Sequence, residues 1–195
     1  MPDDIFRKRR LVVLGARSVG KSSLVLQYVE KHFIESYHPT VESFFTKTIT
    51  VNGIEYETAI LDTAGQDEFS IFNSKHAIGI HGYVLVYSVA SRQSFEMVKI
   101  IYDKIIDFCG LRAIPCVIVG SKSDLQRREV PTTEAQALAT RLGCGFIETS
   151  ARENSNVDKV FELCLQEVDK TGRYRRRHYG VQPVEPPPGN NCTIM

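Results

Sequence analysis

Four short apolar runs, Leu11–Leu14, Tyr83–Val89, Cys116–Val119 and Phe146–Glu148, alternate along the chain with four stretches of helical period, Lys21–Lys31, Ser94–Phe108, Glu134–Leu142 and Val157–Val168. An unbroken apolar run needs cover on both faces, and strand–helix–strand alternation lays its strands down in parallel. In the last stretch Val157, Val160, Phe161, Cys164, Leu165 and Val168 recur at spacings of three and four, which is one helix face. One segment departs from the pattern. Ser43–Val51 and Ile54–Leu61 alternate with period two about Asn52-Gly53, which predicts a two-residue hairpin. The expected fold is α/β: a mostly parallel sheet with one antiparallel edge strand, covered by helices on both sides.

A chain of 195 residues, 43% hydrophobic, can bury one core comfortably but not two. Its formal charge of +1 sets up no basic field, so nucleic acid is not an expected partner. Basic residues do cluster at 7–10 and 173–177, where a solvated, mobile end and a binding role stand on equal footing. Five cysteines have no paired spacing, the first ten residues hold no apolar signal core, and no stretch reaches membrane-spanning length. Free thiols in a reducing cytosol follow, with Cys116 and Cys164 as small core residues. The sequence divides into an extension at 1–8, a domain at 9–170 and a tail at 171–195. The tail's RYRRRHYG and QPVEPPPGNN cannot bury a core and predict a flexible segment.

Gly15-Ala16-Arg17-Ser18-Val19-Gly20-Lys21-Ser22 fits G-x-x-x-x-G-K-[ST] directly after a predicted buried strand and at the opening of a helix. Glycines there let main-chain N–H groups wrap phosphates, and the helix N-terminus adds positive potential. Lys21 would bridge the β and γ phosphates, and the Ser22 hydroxyl would ligate Mg²⁺. Asp62-Thr63-Ala64-Gly65-Gln66 ends another strand: an acid at Asp62 can hold Mg²⁺, and the Gly65 N–H can approach a γ-phosphate unobstructed. Taken alone, either string could be a glycine turn; together they point to a nucleoside triphosphate.

Ser121-Lys122-Ser123-Asp124 follows the strand CVIVG, and Thr149-Ser150-Ala151 follows GFIE, so both emerge at the carboxyl edge of the sheet. A carboxylate at Asp124 accepting from a ring N–H and an exocyclic amine reads guanine; adenine offers no such pair of donors.

With GARSVGKS, DTAGQDEFSIF, HGYVLVYSV and PTVESFFTK in this order, the chain resembles the Ras superfamily, and more narrowly its Rheb branch, over about residues 9–170. The resemblance implies a P-loop G domain with a six-stranded sheet and five helices. It implies a monomeric switch that cycles between GTP and GDP with Mg²⁺ and hydrolyses GTP. The nucleotide would be bound by Arg17, Ser18, Val19, Gly20, Lys21, Ser22 and Ser23, together with Tyr37, Pro39, Thr40 and Gly65. The base would be held by Phe33, Ser121, Lys122, Asp124, Ser150 and Ala151. Metal ligation falls to Ser22, Thr40 and Asp62, and catalysis to Gln66, Lys21, Gly65 and Thr40, with Gln66 positioning the attacking water. Residues 37–48 would be the first switch, its effector surface running through Thr40, Val41, Glu42, Ser43, Phe44, Phe45, Thr46, Lys47 and Thr48; residues 63–80 would be the second. Partners implied are a GTPase-activating protein, an exchange or loading factor and the TOR kinase complex.

Two positions depart from the wider family. Arg17 stands where Ras relatives commonly have Gly, though the Rheb branch shows an Arg-Ser pair, and it could disturb Gln66 or its water, so intrinsic hydrolysis should be slow. Ser121 replaces the Asn of N-K-x-D, and a shorter side chain is expected to lose either the base or the tie to the phosphate loop. At the end of the chain, Cys192-Thr193-Ile194-Met195 fits C-a-a-X, with Met favouring farnesyl. One prenyl chain binds membranes marginally, so the four tail arginines would supply the second signal for a lipid-anchored protein at the cytoplasmic face of a membrane. Two rival readings remain: a GTP-locked binding module, suggested by Arg17, and a small ATP-dependent kinase, which Asp124 opposes. His32, His38, His76, His81 and His178 have no ligand spacing, and Asp67-Glu68 reads as part of a switch rather than an acid–base pair.

Overall fold

The computed structural model describes residues 7–35, 40–67 and 73–179, with side chains described as far as residue 172. Six strands, β1 (Lys8–Gly15), β2 (Ser43–Val51), β3 (Ile54–Asp62), β4 (Gly82–Ser88), β5 (Cys116–Ser121) and β6 (Gly145–Glu148), form one sheet in the order β2-β3-β1-β4-β5-β6. Only β2–β3 is antiparallel; the other neighbours run parallel. The hairpin turns at Asn52 and Gly53 with φ of 52° and 76°. Two successive left-handed residues are what a type I′ turn requires, and Asn-Gly accepts them most readily.

The continuous apolar runs are explained by burial on both faces. Along β1, Leu11 and Val13 join one core with Val84, Val86, Val117 and Val119, while Val12 and Leu14 join the other with Leu85, Tyr87 and Ile118. Helices α1 (Lys21–Glu30) and α4 (Val157–Tyr179) cover the first core; α2 (Arg92–Cys109) and α3 (Thr132–Leu142) cover the second. Cys116 and Cys164 are both buried.

Two differences from expectation are informative. Helical periodicity marks four helices, whereas the family resemblance implies five. The described residues hold four α-helices, and between β3 and β4 only the short 3₁₀ helix Ser74–His76. The second is the length of α4, which runs to Tyr179, beyond the boundary drawn at 170. Arg, Tyr and His tolerate a helix without having to bury anything, so a preceding packed helix can extend through them.

Strand order reverses direction about β1, since β3 lies on one side of it and β4 on the other. The carboxyl ends of β1, β3, β5 and β6 therefore line a single edge, where open α/β sheets bind ligands. Phe161, fully buried on α4, stacks on Tyr28 of α1 at 4.1 Å between ring centroids. Phe161→Ala should cost about 3–5 kcal/mol of stability, measured by urea unfolding of the GDP-loaded protein at fixed nucleotide concentration.

Candidate functional site

The phosphate loop leaves β1 at Gly15, where an added Cβ would stand 2.2 Å from the main-chain oxygen of Val86. Only glycine fits so close to a neighbouring strand. Ser18 and Gly20 have φ of 59° and 97°, which curl the loop, and Gly20 caps α1. No side-chain bond caps this helix and its first turn holds no acid, so its leading N–H groups face the loop uncompensated.

Lys21 arches back and donates to the carbonyl oxygens of Gly15 at 3.1 Å and Ala16 at 2.9 Å. It is 5% exposed, and burial lowers its pKa to about 8, against the opposing pull of the Asp62 charge. Asp62, 2% exposed at the end of β3, has its pKa raised by burial, opposed by a bond from Ser22 and by the Lys21 charge. Both shifts have one cause: water is excluded from two opposite charges. Ser22 Oγ lies 2.6 Å from Thr40 Oγ1, so the three residues expected at a metal converge. Among the described residues Asp62 Oδ1 is buried without a hydrogen-bond partner. A buried carboxylate oxygen beside two hydroxyls is a set of hard donors that suits Mg²⁺.

The stretch after Asp62 lies against the phosphate loop. Thr63 Oγ1 donates to Val13 O at 2.8 Å, and the Gln66 N–H donates to Gly15 O at 3.1 Å. A Cβ on Gly65 would meet the main chain of Arg17 at 2.5 Å, so this contact admits only glycine. The Arg17 guanidinium itself turns outward to Asp67 at 3.6 Å, an exposed pair of little energetic weight.

At the far end of the edge, the Ser123 N–H donates to Thr149 O and the Thr149 N–H to Gly120 O, at 3.0 and 2.8 Å. These bonds hold the Asp124 loop beside fully buried Ser150 and half-buried Ala151. Ser121 keeps the tie to the phosphate loop: its hydroxyl sits between Val19 O and Tyr87 O, the latter at 2.8 Å. The hydroxyl has one proton for these two carbonyls, so Ser121 is committed to this tie. Lys122 adds a second tie, donating to Ser18 O at 2.8 Å.

Phe33 is half-buried in the loop after α1, and Ser23 half-buried on α1. Of the effector segment, Val41 and Phe44 are 84% and 71% exposed, Thr46 and Thr48 are exposed, and Ser43 and Phe45 are half-buried. Lys47 is turned inward instead, donating to Tyr28 O at 2.6 Å and lying over the Tyr28 ring. Tyr37, Pro39, Glu68 and Cys192 lie outside the described residues. Sequence reasoning passed over His76, which is buried between Glu42 and Gln66; a lone histidine carries no pattern that would have flagged it.

A sequence profile of the Ras family matches residues 10–170. The chain belongs to the Ras family. It is 53% identical over 189 residues to the GTP-binding protein rhb1 of Schizosaccharomyces pombe, covering 96% of this chain and 97% of that protein. It is 48% identical over 191 residues to the small monomeric GTPase RhbA of Aspergillus fumigatus, 97% of each. The human GTP-binding protein Rheb is 48% identical over 165 residues, 84% of this chain and 90% of that protein. Within this family the edge described above coincides with the four motifs that the sequence singled out.

Ser121→Ala would leave the Val19 and Tyr87 carbonyls without their buried donor. It should lower stability by about 1–3 kcal/mol and speed nucleotide release, read by denaturant unfolding and by fluorescent GDP dissociation.

Proposed function

We propose that this chain is a Rheb-like, membrane-anchored switch in TOR kinase signalling. It is a Ras-family GTPase, hydrolysing GTP to GDP and phosphate. The observation that carries the site assignment is the convergence of Lys21, Ser22, Thr40 and Asp62 where β1 and β3 end, with one Asp62 oxygen left unpartnered among the described residues.

In this reading Lys21 exchanges the Gly15 and Ala16 carbonyls for the β and γ phosphates, and the free N–H groups of α1 receive the rest of the negative charge. Magnesium, when bound, supplies charge neutralisation between those phosphates, and Ser22, Thr40 and Asp62 are the residues that would hold it. Gln66 orients the water that attacks the γ-phosphate. Thr40 and Gly65 sense that phosphate, so its loss releases the two segments they belong to. Val41 and Phe44, exposed beside Thr40, form the surface on which an effector reads the state. An activating protein and an exchange or loading factor set the balance between states.

Asp124→Asn should shift preference from guanine toward xanthine nucleotides, because an amide can donate to the extra carbonyl. Competition among GTP, XTP and ATP for a fluorescent GDP analogue measures it. Unchanged preference for GTP would remove Asp124 from the base site, and preference for ATP would overturn the assignment altogether.

The anchor is independent of the pocket. Cys192→Ser should move the protein to the soluble fraction in cell fractionation while GTP affinity stays the same. Membrane retention by this variant would refute prenylation as the anchor.

A further inference from the structure

Strands β5 and β6 pair in parallel with Val117 opposite Gly145, so Cys116 and Cys144 stand beside each other one residue earlier, at the amino edge of the sheet. Parallel neighbours lie about 4.8 Å apart, within the roughly 4.4–6.8 Å between α-carbons that a disulfide spans. Both side chains take the same face of the sheet. Cys116 belongs to the core that holds Leu85, Ile101 and Ile118, and Cys144 packs against that core. The Cys116 S–H donates to the Cys144 sulfur, and the Cys144 S–H donates to Leu142 O at 3.7 Å. Cys116 is 1% exposed, whereas Cys144 is half-buried. The two other described cysteines are engaged elsewhere. Cys109, at the end of α2, accepts from the Tyr83 hydroxyl, and Cys164 lies in the core on the opposite face, donating to Tyr83 O at 3.8 Å.

We propose that Cys116 and Cys144 are a dithiol that a hydroperoxide converts into an intramolecular disulfide, with Cys144 as the attacking sulfur and Cys116 as the resolving one. Cys144 is the sulfur that solvent reaches. Burial holds the Cys116 thiol well above its ordinary pKa, and its bond to Cys144 adds to this, so Cys116 keeps its proton through the first step. In that step the Cys144 thiolate attacks the O–O bond and becomes a sulfenic acid. The sulfur is oxidised, and the peroxide is reduced and leaves as an alcohol or water, taking up the proton that Cys144 gave to solvent. The Cys116 sulfur then attacks the sulfenic sulfur. The S–S bond forms as the S–O bond breaks, and the hydroxide leaves with the Cys116 proton as water. The bridge closes a ring that contains α3 and the segment Ser121–Asp124. It therefore fastens the amino ends of β5 and β6 beneath the candidate base site, which lies at their carboxyl ends. In a reducing compartment such a bridge is transient and redox-sensing.

Hydrogen peroxide treatment of the full-length, GDP-loaded protein tests this, with Cys192→Ser removing the tail thiol. Two of the four remaining thiols should be lost, and the intact mass should fall by two hydrogens. Peptide mapping of the monomer should join Cys116 to Cys144, and dithiothreitol should restore both thiols. A bridge through Cys109 or Cys164, a bridge between two chains, or retention of all four thiols would overturn the proposal. These readings need no substitution in the core, so they stand whether or not a core variant folds. The order of attack is read in Cys116→Ala, where no bridge should form and dimedone should capture Cys144 as its sulfenic acid. A folded Cys116→Ala protein that dimedone leaves unlabelled at Cys144 would refute Cys144 as the attacking sulfur.

Discussion

Lys21 and Asp62 are opposite charges confined where water cannot reach them, and the rest of the site is arranged around that pair. Neither is comfortable alone. Burial drives the lysine toward losing its proton and the carboxyl toward gaining one, and each charge partly restores the other. Two buried opposite charges are poor evidence of stability, because desolvation can exceed the mutual attraction. It is better understood as a preorganised receptor, with the ammonium resting on two loop carbonyls and one carboxylate oxygen unpartnered among the described residues. In the proposed site an anion at Lys21 and a cation at Asp62 would satisfy both.

The sheet makes this tolerable. Strands β1, β4 and β5 are buried on both faces, so the scaffold around the pair is rigid and apolar. At the carboxyl edge the described loops are tied to one another by main-chain and side-chain bonds. Ser121 and Lys122 connect the base end to the phosphate loop, and Gln66 connects the β3 end to it. The edge therefore behaves as one linked surface. The segments proposed to respond to nucleotide meet β1, the phosphate loop and α1 through Thr40 on Ser22, and through Thr63, Gly65 and Gln66 on Val13, Arg17 and Gly15.

Where sequence and structure part company, the difference traces to distance along the chain. Ser121 looked like a loss, because a serine is shorter than the asparagine expected there; its hydroxyl nevertheless meets the carbonyl of Val19, 102 residues away. The close packing of the two strands' ends, set by the β4–β5 and β1–β4 registers, brings that carbonyl within a serine's reach. Arg17 was expected beside the catalytic water; in the structure its guanidinium turns to Asp67, while its Cγ and main chain lie where a Cβ on Gly65 would meet them. Helix α4 passes its expected end because helix propensity, unlike core formation, does not depend on apolar content.

By itself the sequence determined the elements and the chemistry at their ends. Period-two and period-3.6 patterns, the Asn-Gly turn and the glycine-rich loop are local statements, since each depends on residues within a few positions of one another. They fixed the hairpin, the four helices, the doubly buried strands and the residues offered at the carboxyl edge. Tertiary structure alone decided the strand order, the inward turn of Lys47, the carbonyl partners of Ser121 and the placing of His76 between Glu42 and Gln66. Those contacts join residues far apart in the chain, and a hydrogen bond depends on positions to within tenths of an ångström that only the packed sheet supplies.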